Sequence, residues 1–122
     1  MNDTLYKIAD VSALAKAEAS GVLEASADDV RDGFIHLSTA GQVQGTLDKH
    51  FAGEENLMLL AFNAGGIGED LRWEKSRGGQ AFPHLYGELP LSALEWSEPL
   101  PISADGRHVI PEAVLAKMGG PR

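Results

Sequence analysis

Two histidines stand in matching contexts, Phe34-Ile35-His36-Leu37-Ser38 and Phe82-Pro83-His84-Leu85-Tyr86. Imidazole exchanges protons near neutral pH, so two of them facing one phosphate could act as general acid and general base. Each is followed two positions on by a hydroxyl, Ser38 or Tyr86, and Thr39 adds another beside Ser38. The alternative for either histidine is a core residue with a satisfied hydrogen bond. Between the two blocks, Arg72, Lys75 and Arg77 place three of the chain's ten basic residues within six positions, interrupted by Trp73 and Glu74 and followed by Gly78-Gly79. Guanidinium groups beside glycine backbone suit a phosphate-bearing anion, and the stretch reads as a flexible loop able to close over one. The alternative is a solvated loop. The candidate catalytic groups are therefore His36, His84 and Glu74. The candidate ligand-binding groups are Ser38, Thr39, Arg72, Trp73, Arg77 and Tyr86.

Other chemistries find less support. There is no cysteine, hence no thiolate or disulfide. No paired-histidine helix motif or acidic calcium loop occurs, so no metal is expected. Ser38 lacks the Gly-x-Ser-x-Gly elbow of a nucleophile and suits a capping role. Gly65, Gly66 and Gly68 match neither a dinucleotide fingerprint nor a P-loop and read as turn residues. The formal net charge of −8 opposes non-specific binding to nucleic acid or anionic membrane. No apolar run approaches the ~20 residues of a membrane span. The first residues lack a basic and apolar leader, so a cytoplasmic location is expected.

The elements that must position these groups follow from periodicity and caps. Residues 5–9 read as a strand with Tyr6 and Ile8 on one face. Asp10 caps a helix over 11–20, with Val11, Leu14, Ala15 and Ala17 inward and Gly21 ending it. Residues 22–25 are too short to assign. Ser26 and two acids predict a helical turn to Asp32. His36 sits near the end of a strand over 33–37, before a helix that starts at Ser38 or Thr39 and covers 40–51, buried through Val43, Leu47 and Phe51. His50 belongs at that helix's end. Residues 57–62 are the most apolar run and predict a strand buried on both faces, with the His36 strand in the same sheet. Pro83 suits a strand start or an edge rather than a central position. A short helical turn near 89–94, a strand over 94–100, a turn at Asp105-Gly106, strand-like Val109-Ile110 and a helix over 112–118 complete the chain. The order indicates a single α+β domain over 1–122.

Four blocks carry a family resemblance: GFIHLST (33–39), HFAG (50–53), RWEKSRGG (72–79) and FPHLYGELPL (82–91). In that order they resemble the bacterial domain of unknown function 952, from about Leu5 to Trp96, leaving a C-terminal strand and helix as an extension. The family has no assigned reaction. The resemblance implies a fold similar to the ADP-ribosyltransferases, a mixed or antiparallel split sheet flanked by helices. It also implies NAD, or another phosphate-bearing nucleotide, as ligand. In that superfamily a histidine or arginine on an early strand anchors NAD, the position His36 matches. A Ser, Thr or Tyr on a middle strand frames the nicotinamide. A late glutamate steadies the ribose oxocarbenium, and here His84 or Tyr86 stands in its place. Relatives that move phosphate from RNA onto NAD also lack that glutamate and use His and Arg groups. ADP-ribosyl transfer and phosphate transfer to NAD are the reactions so implied. The two His-Leu-hydroxyl motifs also resemble, in outline, the two-histidine phosphodiesterases, with Tyr86 in place of Ser or Thr. A non-catalytic ligand-binding module is the third reading.

Overall fold

Leu57–Asn63 forms strand β4, the centre of a three-stranded antiparallel sheet with β1 (Thr4–Asp10) on one side and β8 (Leu94–Leu100) on the other. Side chains alternate across a strand, so a strand covered on both faces reads as one continuous apolar run. Leu60 and Phe62 enter one core cluster with Leu5, Leu14 and Leu85. Leu57, Leu59 and Ala61 enter a second with Tyr6, Val43 and Leu47. The structure, a computed structural model, describes residues 4–75 and 79–119.

The remaining elements are α1 (Val11–Ser20), β2 (Val22–Leu23), α2 (Ala27–Asp32), β3 (Ile35–His36), α3 (Val43–His50), β5 (Leu71–Lys75), β6 (Ala81–Leu85), β7 (Leu89–Pro90) and α4 (Glu112–Lys117). The caps of α1 are where the sequence predicts them. Asp10 accepts the Ala13 N–H, and Gly21 closes the helix in the left-handed region at φ 89°. Its buried face is narrower than expected: Leu14 and Ala17 are inside, whereas Val11 and Ala15 are exposed because only one helical stripe reaches the sheet. A 3-10 turn, Ala40–Gln42, precedes α3 in place of one continuous helix.

Four expectations are corrected. The His36 strand is not in the β4 sheet: β3 pairs with β6, and β6 with β5, in a second antiparallel sheet of order β3-β6-β5. The basic stretch is not a loop where it is described. Residues 71–75 form β5, because Arg72 to Lys75 have β6 to pair with. Arg77, with Ser76 and Gly78, lies outside the described residues. Pro83 sits in the middle strand rather than at an edge. Its ring nitrogen faces the short β3, where only its carbonyl is needed, accepting the Leu37 N–H at 3.1 Å. Finally, no strand forms at Val109-Ile110; an isolated bridge from Ile102 to His108 closes that turn.

The two three-stranded sheets share a core cluster and are joined through the backbone by an isolated bridge, while β2 and β7 pair as a separate two-stranded sheet. Past Leu37 the chain leaves β6 and exchanges both backbone hydrogen bonds between Ser38 and Tyr6, at 2.8 and 2.9 Å. That seam between the sheets positions the candidate site. Among the described residues, no helix is long and apolar enough to cross a membrane.

Candidate functional site

Asp29 is the buried centre of the site. It is the third residue of α2, where its Oδ2 accepts the Ser26 N–H at 2.9 Å and completes a capping box. The same carboxylate accepts Lys7 Nζ on both oxygens, at 3.1 and 2.9 Å, and the His36 backbone N–H at 3.0 Å. His36 Nδ1 is 2.7 Å from Asp29 Oδ1, and its Nε2 is 2.9 Å from Asp32 Oδ2. Carboxylates only accept, so both contacts are satisfied when each ring nitrogen carries a proton. Burial pushes the Asp29 carboxyl up, but the hydrogen bond from His36 and the Lys7 ammonium outweigh it and hold the group well below the carboxylate range. The Lys7 ammonium also donates to the His36 carbonyl at 3.1 Å, so β1, α2 and β3 are tied through one ion pair.

His84 is anchored in a parallel way by the neighbouring strand. Its Nδ1 lies 2.8 Å from Glu74 Oε1, which also accepts the Tyr86 hydroxyl at 2.7 Å. Hydrogen bonds from Tyr86 and His84 lower the Glu74 carboxyl, and the same bond raises the Tyr86 phenol. His36 and His84 are direct cross-strand partners, and their ring centroids are 5.7 Å apart. Phe34 packs against both, stacked on His84 at 4.0 Å and tilted to His36 at 4.6 Å.

A cleft of about 280 Å³ opens at the seam and is lined by His36, His84, Ser38, Lys7, Asp29 and Phe82, among others. Arg31, Asp28 and Asp32 stand at it as well, the arginine paired with both aspartates. Ser38 is buried, its Oγ 3.1 Å from Thr46 Oγ1, and it caps no helix. Thr39 precedes the 3-10 turn and its N–H is taken by the Gln42 side chain; it does not line the cleft. Arg72 lies opposite His84 on β5, with Cζ 5.8 Å from the Tyr86 ring centroid, outside the cleft lining. Glu74 and Tyr86 are likewise behind His84 rather than in the cleft. Trp73, one position on from Arg72, projects from the other face of the sheet. Among the described residues, no group of three or more histidines and carboxylates is placed to hold a metal ion.

Sequence reasoning missed Lys7 and Asp29 as site residues. One signal was present: a lysine inside the apolar run Leu5-Tyr6-Lys7-Ile8-Ala9 demands a buried partner. Nothing local names Asp29 as that partner.

The sequence profile described as "Protein of unknown function (DUF952)" matches residues 8–97. The chain belongs to the DUF952 family. Its fold is shared by protein CC0527 from Caulobacter crescentus. The crystal structure of that protein is 45% identical, with TM-score 0.83 and coverage of 93% of this chain and 96% of that one. The solution NMR structure of the same protein aligns at 48% identity and TM-score 0.75, covering 86% and 90%. Comparison with curated proteins yields no match. Both histidines, Asp29 and Glu74 fall within the DUF952 match, whereas α4 lies beyond it.

Proposed function

We propose that the seam cleft of this DUF952 protein binds a phosphate-bearing nucleotide, with NAD the leading ligand, in a split-sheet fold of the ADP-ribosyltransferase kind. The observation that carries this reading is the pair of carboxylate-anchored imidazoles, 5.7 Å apart, lining one cleft. Glu74 holds His84 by Nδ1, which leaves Nε2 to meet a phosphate oxygen. His36 joins it when its Nε2 exchanges Asp32 for the ligand, and anchoring through Nδ1 fixes both rings before the ligand arrives. Asp28 and Asp32 at the cleft offer acceptors for ribose hydroxyls, and Phe82 offers an apolar wall. The cleft alone suits one nucleotide half. A second cleft of about 440 Å³ shares Lys7, Ile8, Ser26, Asp28, His50 and Phe51 with it and continues past the end of β1 to Lys16 on α1, giving room for the other half.

Within this reading His36 and His84 contact the ligand, while Glu74 and Tyr86 act as positioning residues behind His84. Arg72 bears on the site through Tyr86, and Ser38 through the wall of the cleft. ADP-ribosyl transfer or phosphate transfer to NAD is the reaction class. Calorimetric titration of NAD, ADP-ribose and AMP tests it. His84→Ala removes a hydrogen bond to a charged group, about 1.5–3 kcal/mol, and weakens binding roughly ten- to a hundredfold. No heat from any nucleotide at millimolar concentration overturns the reading.

A second reading, a two-histidine phosphodiesterase, is favoured by the direct cross-strand pairing of His36 with His84. Turnover separates the two. Hydrolysis of cyclic or RNA-end phosphates without NAD supports the phosphodiesterase, and binding of NAD without product supports a ligand-binding module.

A further inference from the structure

Strand β5 is the edge of the β3-β6-β5 sheet. The Tyr86 N–H donates to the Asp70 carbonyl at 2.9 Å, which sets the alternation of the ladder. Residues 70, 72 and 74 turn their backbone groups toward β6, and Leu71, Trp73 and Lys75 turn theirs away. Among the described residues those outward groups have no main-chain partner. Arg72 and Lys75 are exposed, and Trp73 is 53% exposed, a large aromatic on an open edge. An edge of this kind is a template for another strand.

We propose that β5 pairs with β5 of a second copy of this chain, antiparallel about a two-fold axis at Trp73. The charge pattern selects both the occupant and the register. A self-pairing strand meets itself reversed, so Arg-Trp-Glu brings Arg72 opposite Glu74 of the second copy, twice, and Trp73 opposite Trp73. Moving the axis to Arg72 sets arginine against arginine, and moving it to Glu74 sets glutamate against glutamate. Of these three, only the Trp73 axis sets opposite charges against each other, with Leu71 opposite Lys75 flanking them, and it is also the axis at which the outward backbone groups of 71, 73 and 75 pair with one another. Two apolar faces of Trp73 leave water at the centre of the contact, where aromatic anchors contribute most.

The pairing reaches the candidate site. Arg72 of the second copy comes to the free flank of Glu74, the carboxylate that anchors His84 and Tyr86. The result is a continuous six-stranded sheet carrying two clefts. The inference does not depend on which ligand the clefts take.

Sedimentation equilibrium of the full chain over micromolar to millimolar concentration tests it, with amide hydrogen exchange beside it. The expected result is a reversible dimer, with the amides of Leu71, Trp73 and Lys75 gaining protection as concentration rises. Arg72→Glu and Trp73→Glu each place like charges across the axis and weaken association at least tenfold. Arg72→Glu combined with Glu74→Arg reverses both charges of each pair and restores the dimer. The exchange readout uses the unaltered chain, so it decides even where a variant misfolds. A monomer at every concentration overturns the proposal, as does a dimer that survives both single variants with those three amides unprotected.

Discussion

Replacing Asp29 by alanine leaves the Lys7 ammonium, 6% exposed, without its carboxylate. An uncompensated buried charge is costly, so Asp29→Ala is expected to lose about 3–5 kcal/mol in urea denaturation. Replacing both charges while keeping an acceptor oxygen for the Ser26 and His36 N–H groups, Lys7→Met with Asp29→Asn, is expected to cost much less. If the double variant is as unstable as the single one, the ion pair is not what holds β1 to α2. The same residue sets a pH dependence. Its folded carboxyl is held below the ordinary 3.8, so the unfolded chain takes up the proton first as pH falls. The stability Asp29 contributes is thus fully present above about pH 4 and is lost on descending toward its folded value. A urea midpoint series between pH 7 and pH 3 reads this, and Asp29→Asn should flatten the acid limb.

Among the elements, α2 shows most directly how local structure prepares the site. It has six residues, too few to be stable alone, and it holds its place through its capping box and the Asp29 contacts. Ser26 Oγ accepts the Asp29 N–H at 3.2 Å while the Asp29 carboxylate returns the bond to the Ser26 N–H. Ser26→Ala therefore removes a cap and loosens the rotamer of the carboxylate that anchors His36. The expected loss is about 0.5–2 kcal/mol, against a few tenths for Ser26→Gly, by chemical denaturation. No loss in either variant, both of which lack the hydroxyl, would show that the side-chain oxygen plays no part. At the other end Gly33 turns at φ 86°, a conformation that favours glycine, and delivers the chain to Phe34 and His36.

At the scale of the molecule, the segment after β8 is part of the core although it lies beyond the family match. Ile110, Val114 and Met118 are buried in the cluster that holds Tyr6, Leu47 and Leu59. The turn before them is pinned by the Gly53 N–H to the Gly106 carbonyl at 2.9 Å and by His108 Nε2 to the Glu54 carbonyl at 2.6 Å. Deleting one buried aliphatic to alanine costs about 2–5 kcal/mol, and whole domains hold about 5–15 kcal/mol. A chain ending at Leu100 should accordingly show no cooperative melt by circular dichroism, and Ile110→Ala should lower the midpoint clearly. A sharp melt for the shortened chain would make the segment an appendage.

What the sequence determined by itself is whatever short-range chemistry decides. Asp10 and Gly21 bound α1 because a cap and a left-handed glycine act within a few residues. The run at 57–62 had to be a strand buried on both faces because alternation has no polar side there. The echo of His36 and His84 was visible as composition, and the structure makes them cross-strand neighbours. Tertiary structure alone decided the rest. Lys7 finds Asp29 across 22 positions, and His84 finds Glu74 across a hairpin. Whether β3 joins β4 or β6 depends on where the chain crosses between sheets, at Ser38 and Tyr6, a long-range pairing that no local pattern encodes. The facing of Trp73 and Arg72 followed from the same choice. Once β5 paired with β6, alternation set the arginine on the histidine side and the tryptophan on the other.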